Sequence, residues 1–131
     1  MLRINSTLPP ETEELVTRVI GCCIEVHRAL GTGLLEGIYS RAAAIELDRG
    51  QIAYEREKLL PVFYRGQLLC NQRLDFVVAD QIVLEIKCVE RFNPIHRSQL
   101  MTYLRLSKLR VGLLINFNVE VLRDGIKRIV L

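Results

Sequence analysis

Three residues in the middle of the chain are of the types that hydrolytic metal chemistry uses: Asp75, Glu85 and Lys87. They lie in two short alternating runs, Arg73 to Val78 and Ile82 to Cys88, joined by Ala79-Asp80-Gln81. That link is short enough for an antiparallel hairpin. Strand side chains alternate faces, so Leu74, Phe76 and Val78 share one face, as do Ile82, Leu84, Ile86 and Cys88. Burying both apolar rows on the same side pairs even-numbered residues with even and odd with odd. The three-residue loop pairs Val78 with Ile82, and counting back from there sets Asp75 opposite Glu85. Facing Cβ atoms lie roughly 4.5–5.5 Å apart, where like charges destabilise a sheet. Lys87, on the same strand face as Glu85, offers one compensating charge, and a divalent cation offers two. Hard cations such as Mg²⁺ take carboxylate oxygens and keep waters that a reaction can use.

A plainer reading makes Arg73, Asp75, Glu85 and Lys87 the solvated face of a one-sided sheet. Val77 and Val83 lie between those charges, as on a covered face. Downstream, His96, Gln99 and Tyr103 recur at i, i+3 and i+7, one face of a helix. That stripe either faces solvent or lies beside the carboxylates, where Gln99 and Tyr103 would orient phosphate or water; His96 reads as a surface or packing residue. Upstream, Gly31 and Gly33 precede a helix whose first turn holds Glu36. Chain reversal and the helix dipole account for these residues without a site.

The elements that must position these groups follow from periodicity. A helix is expected over Glu11 to Leu30, after Pro9-Pro10, burying Leu15, Val16, Val19, Ile20, Cys23, Ile24 and Leu30. A second runs from Leu34 to Arg49, burying Leu35, Ile38, Ala42, Ile45 and Leu47, with Gly50 as its stop. Short strands follow at Ile52 to Lys58, Leu60 to Tyr64 and, after an Arg65-Gly66 turn, Gln67 to Cys70. Beyond the central hairpin come a helix from Ile95 to Ser107, a strand from Arg110 to Phe117 and a turn at Asp124-Gly125 into Ile126 to Leu131. This order predicts an α+β or mixed α/β fold, a sheet with helices packed on it.

The chain has 131 residues, a quarter of them charged and half hydrophobic, values of a globular chain with one core. No linker or repeat interrupts residues 1–131, so a single domain is expected. Apolar runs fall far short of the ~20 residues a membrane span needs. Met1 to Pro10 lacks the apolar core of an export signal, so a cytoplasmic location without membrane association is expected. Cys22, Cys23, Cys70 and Cys88 lack metal-ligand spacing and are expected to be reduced and buried. A net charge of +3 permits a nucleic-acid partner without requiring one.

The residues together resemble a known family. Gly33-x-x-Glu36-x-x-Tyr39 matches the signature of the GxxExxY proteins, a group placed in the PD-(D/E)xK nuclease-like superfamily. The resemblance runs from His27 through Asp75 in RLDFVV, Glu85-x-Lys87 in LEIK, His96-x-x-Gln99-Leu100 before Tyr103, and GLLINF at Gly112 to Phe117. It implies an α/β (α+β) fold, a central mixed β-sheet flanked by helices in a restriction-endonuclease-like core. It implies Mg²⁺ or Mn²⁺ held by Asp75 and Glu85, with the Ile86 carbonyl and the acidic Glu36 as further ligands. Lys87 would sit beside the attacking water, and Gln99-x-x-x-Tyr103 is similar to a motif that RecB-like members carry after the catalytic strand. The proline of the superfamily's literal motif is absent, Leu74 preceding Asp75.

The function so implied is metal-dependent hydrolysis of phosphodiester bonds in DNA before RNA. A fold shared by many chemistries does not establish activity, so a non-catalytic nucleic-acid- or protein-binding module is the competing expectation. Arg56, Lys58, Arg91 and Arg97 are candidates for phosphate contacts, though each taken singly reads as a solvated side chain. The apolar end Ile129-Val130-Leu131 suits pairing through a sheet edge with a second copy or a protein partner.

Overall fold

Proline can open a helix because its fixed φ suits the first turn and its missing N–H would be unpaired there. Helix α1 begins at Pro10 and runs to Leu30. The structure, a computed structural model, describes residues 7–131, so the Met1–Ser6 part of the export-signal expectation lies outside the described residues. Helix α1 buries Leu15, Val16, Val19, Cys23, Val26 and His27, while Leu30, expected inside, is exposed. Gly31 ends the helix at a φ of 68°, which glycine adopts without a Cβ penalty.

Helix α2, Glu36–Arg49, buries Tyr39, Ala43, Ala44 and Leu47. Of the residues expected inside, Leu47 is buried and Ala42 half-buried against the core, whereas Leu35, Ile38 and Ile45 point to solvent, Leu35 with 77% of its surface exposed. Helix α2 packs on α1 and also meets β3, with Ala43 and Ala44 among its buried residues. Ile38 and Ile45 are left on the outer side. Neither α1 nor any other helix among the described residues is long and apolar enough to cross a membrane.

The sheet comprises β1 (Tyr54–Tyr64), β2 (Gln67–Val78), β3 (Ile82–Lys87), β4 (Val111–Asn116) and β5 (Ile126–Val130), in that spatial order. Only β3 and β4 are parallel; the crossover such neighbours require is helix α3, Pro94–Ser107. Expected breaks in the first two strands are absent. Pro61 sits inside β1, which is tolerable because β1 is an edge strand. Strand β2 runs unbroken through Asn71 and Gln72. Tyr64 pairs with Gln67 around Arg65 and Gly66, both at positive φ, the two-residue turn that matches strand twist. The second edge strand, β5, follows a 3₁₀ turn at Leu122–Gly125.

Two apolar layers cover the sheet. On one face Phe76, Val78, Ile82, Leu84, Ile86, Leu113 and Ile115 pack with residues of α1 and α2. On the other, Leu74, Val77, Val83, Leu114 and Ile129 pack with Leu100 and Leu104 of α3. The face holding Val77 and Val83 is thus covered, and the architecture is α+β, a mixed sheet flanked by helices. Helix α3 approaches closely because β4 carries Gly112, where a Cβ would stand 2.8 Å from Leu100 Cδ1. The cysteines are free but not uniformly buried. Cys23 is inside, its thiol pushed up to about 12 by burial, whereas Cys70 is exposed on the uncovered part of β2.

Candidate active site

The central hairpin has the expected register: Val78 pairs with Ile82, Val77 with Val83 and Phe76 with Leu84. The ladder then stops. Strand β3 continues beside β4 as far as Lys87 opposite Asn116, and β2 continues beside β1, so β2 and β3 part at the very step where Asp75 and Glu85 would face each other. The β1–β2 ladder also skips its step at Asp75, opposite which Glu57 has a φ of 54°. Alternation along β2 slips there. Leu74, expected on the face of Phe76 and Val78, packs instead against α3.

In this fork the carboxylates replace the missing backbone partners. The Ile86 N–H donates to Asp75 Oδ2 at 2.7 Å, and the Asp75 N–H donates to Glu85 Oε1 at 3.2 Å. The two acids are therefore held together by the strands they bridge. Glu85 is only 5% exposed, and burial followed by the charge of Asp75 pushes its carboxyl up to about 9, with Lys87 opposing weakly. Lys87 is half-buried and in no ion pair within 4 Å among the described residues.

Glu36, the first residue of α2, belongs to the same neighbourhood. Its carboxyl is raised by partial desolvation, lowered by Lys87 and raised by Asp75, with smaller lowering from the Cys88 backbone and His96. The motif around it has a mechanical explanation. Gly33 takes a φ of 96°, and fully buried Tyr39 stacks on Phe117 with ring centroids 4.6 Å apart. Its hydroxyl donates to the Gly31 carbonyl at 2.5 Å and accepts from the Leu34 N–H at 3.3 Å. Tyr39 thus clasps the loop that delivers Glu36. Tyr39→Phe, which removes both bonds, is expected to lower unfolding free energy by about 1–2 kcal/mol, read by urea denaturation. An unchanged midpoint would show that the clasp contributes nothing.

Tyr103 of α3 is half-buried, its phenol raised by burial and then by the charges of Glu85 and Asp75. Its hydroxyl donates to Gln72 Oε1 at 3.5 Å. Gln99 is exposed and hydrogen-bonds neither carboxylate; with Gln72, Ser98 and Tyr103 it lines a groove of about 280 Å³ between α3 and the β1–β2 hairpin. His96 completes a helix cap: its Nδ1 accepts from the Asn93 N–H at 3.2 Å, and Asn93 Oδ1 accepts from the Ile95 N–H at 3.0 Å. Ile86 contributes its N–H to Asp75 and buries its side chain.

Two positioning residues escaped the sequence reading. Asn116, buried and opposite Lys87, accepts from the Val89 N–H at 3.0 Å and donates to the Val89 carbonyl at 2.8 Å, fixing the chain as it leaves Lys87. Its amide inside the apolar run GLLINF was the available signal. Gln72, in a stretch read as a break between strands, had none.

Among the described residues no three His, Cys, Asp or Glu side chains converge as a metal cage. The donors on offer are two adjoining carboxylates with backbone and Glu36 nearby. A small hard cation that keeps several waters is held by such a set, and the Asp75–Glu85 repulsion, only partly met by Lys87, suits a double positive charge. Neither a curated protein nor a solved structure matches the chain. A sequence profile of the PD-(D/E)XK nuclease superfamily matches residues 13–129, a span that reaches from within α1 to within β5, and such nucleases generally use divalent metal ions. With the acid pair, the lysine and the mixed sheet in place, the chain belongs to the PD-(D/E)XK nuclease superfamily.

Proposed function

We propose that this chain is a divalent-metal-dependent nuclease of the GxxExxY branch, a single cytoplasmic domain that hydrolyses phosphodiester bonds of DNA in preference to RNA. The observation that carries this reading is the fork in which Asp75 and Glu85 are held together beside Lys87. In it, Asp75 and Glu85 hold Mg²⁺ or Mn²⁺, with the Ile86 carbonyl and Glu36 as further oxygen donors. A cation held there would supply a Lewis acid for the phosphate and a water of lowered pKa. The Lys87 ammonium orients the attacking water and stabilises charge developing on the phosphate. Tyr103 and Gln99 orient the substrate from α3, Tyr103 from beside the acids and Gln99 from the exposed end of the groove. The free edge of β5 leaves room for a second copy or a protein partner.

The test is a cleavage panel of single- and double-stranded DNA and RNA with Mg²⁺ or Mn²⁺, run beside Asp75→Ala. Cleavage of DNA by the parent chain and none by the variant is the expected result. Equal cleavage by both would assign the activity to a contaminant. Binding of nucleic acid without cleavage under any of these conditions would leave a non-catalytic binding module.

A further inference from the structure

The cations named as candidate phosphate contacts fare differently in the fold. Arg56 hydrogen-bonds Ser40 and lies over the Phe76 ring; Lys58 pairs with Glu55 at 3.0 Å. Arg97 is exposed on α3 and enters no ion pair among the described residues. A second such cation lies next to it. Lys127 of β5 pairs with Leu114 of β4, and directly opposed antiparallel residues share a face, so Lys127 rises on the α3 side. Its neighbour Arg128 turns to the other side and binds Glu13 of α1.

Arg97 and Lys127 line a groove of about 440 Å³ together with Phe92, Leu114, Ile129 and part of Arg128, whose guanidinium is engaged by Glu13, and among the described residues no acidic one lines it. Apolar and aromatic walls with a few placed charges are the make-up of a ligand site. Its location ties it to the fork. Glu85 pairs with Leu114, and Leu114 with Lys127, so one rung crosses from the acid to the cation over two strand spacings, about 10 Å. Helix α3 packs over Leu114 in the middle of that rung, and its first residue, Pro94, lines the groove with Phe92 and Asn93. A chain with evenly spaced negative charges and flat apolar groups fits that layout. Single-stranded nucleic acid is such a chain, held by cations along its backbone and by aromatic stacking of its bases.

We propose that the α3–β5 groove is a second nucleic-acid subsite, in which Arg97 and Lys127 hold the backbone phosphate of a single strand whose base rests on Phe92 and the Leu114–Ile129 floor. The proposal rests on the nuclease reading for its substrate class, but its test requires no turnover. A short fluorescein-labelled single-stranded DNA is titrated in EDTA, with anisotropy as readout, into the parent chain, Arg97→Gln/Lys127→Gln and a control, Arg28→Gln/Arg49→Gln. The control removes the same charge from exposed positions in α1 and α2, where each arginine sits in an i,i+3 pair.

The groove variant is expected to bind about tenfold more weakly, with the slope of log K against log salt shallower by about 0.7–1.4, one or two phosphates on a single strand. The control is expected to keep parental affinity and slope. Circular dichroism melts check that both variants fold. Parental binding by the groove variant, equal weakening of both variants, or no binding by the parent chain at low salt would each overturn the proposal. Failure of the parent chain to cleave DNA, with binding still dependent on Arg97 and Lys127, would remove the nuclease reading and leave the subsite standing.

Discussion

Lys87→Ala is expected to retain Mn²⁺ binding within about threefold while losing at least about 100-fold in cleavage rate, the usual cost of one preorganised charge aimed at a transition state. The expectation follows from where Lys87 stands. It follows Glu85 and Ile86 on β3 and donates no bond to Asp75 or Glu85 among the described residues, so the donor oxygens keep the backbone bonds that orient them. Removing its ammonium lets the Glu85 carboxyl rise further, so a cation must displace a more tightly held proton, but it also removes a positive charge that repels the cation; the two effects oppose, and binding changes little. Isothermal titration of Mn²⁺ and single-turnover cleavage separate the two effects. Cleavage by Lys87→Ala at the parental rate would sink the assigned role, and loss of cation binding would make Lys87 a structural part of the metal site.

A second large effect concerns proton and cation together. Burial and Asp75 raise the Glu85 carboxyl from 4.5 to about 9, so over that window the folded chain holds a proton that the unfolded chain has released. Stability from this source is complete below 4.5 and is lost as pH climbs through about 9, with a slope of at most about 1.4 kcal/mol per pH unit. In EDTA the chain is therefore expected to melt at progressively lower temperature from pH 5 to pH 9. Mg²⁺ binds the ionised pair and must displace that proton, so its stabilisation grows with pH and flattens the decline. Glu85→Gln, neutral at every pH, is expected to show a shallower decline and no gain from Mg²⁺. Thermal melts across the range give the answer directly: parallel curves with and without Mg²⁺ would mean that no cation couples to the pair.

The sequence by itself determined the register of the central hairpin, because loop length and period-2 alternation are local. Val78 opposite Ile82 followed from a three-residue loop, and with it the meeting of Asp75 and Glu85. The helix limits were nearly as legible, since proline, glycine and asparagine act on their own turn: α1 starts at Pro10, α2 ends before Gly50, and Asn93 caps α3. The glycine and tyrosine around Glu36 were readable as a family signature, though not as the clasp they form.

Tertiary structure decided whatever depends on a neighbour remote in the chain. The buried face of α2 was chosen by the core it shares with α1 and the sheet, which takes Tyr39, Ala43, Ala44 and Leu47 inward and leaves Leu35, Ile38 and Ile45 outside. Leu74 changed layers because β2 slips opposite Glu57, a kink in another strand that no alternation within β2 records. The same slip turned an ordinary β-rung into a fork. There the acids take over backbone hydrogen bonds, and a pair that a continuous sheet would repel becomes part of what joins its two strands. Arg97 and Lys127, far apart in sequence, meet only because β4 brings β5 alongside the crossover helix. Periodicity along a chain fixes which way a side chain points within its own element, whereas what it meets there is set by the packing of elements that share no local sequence.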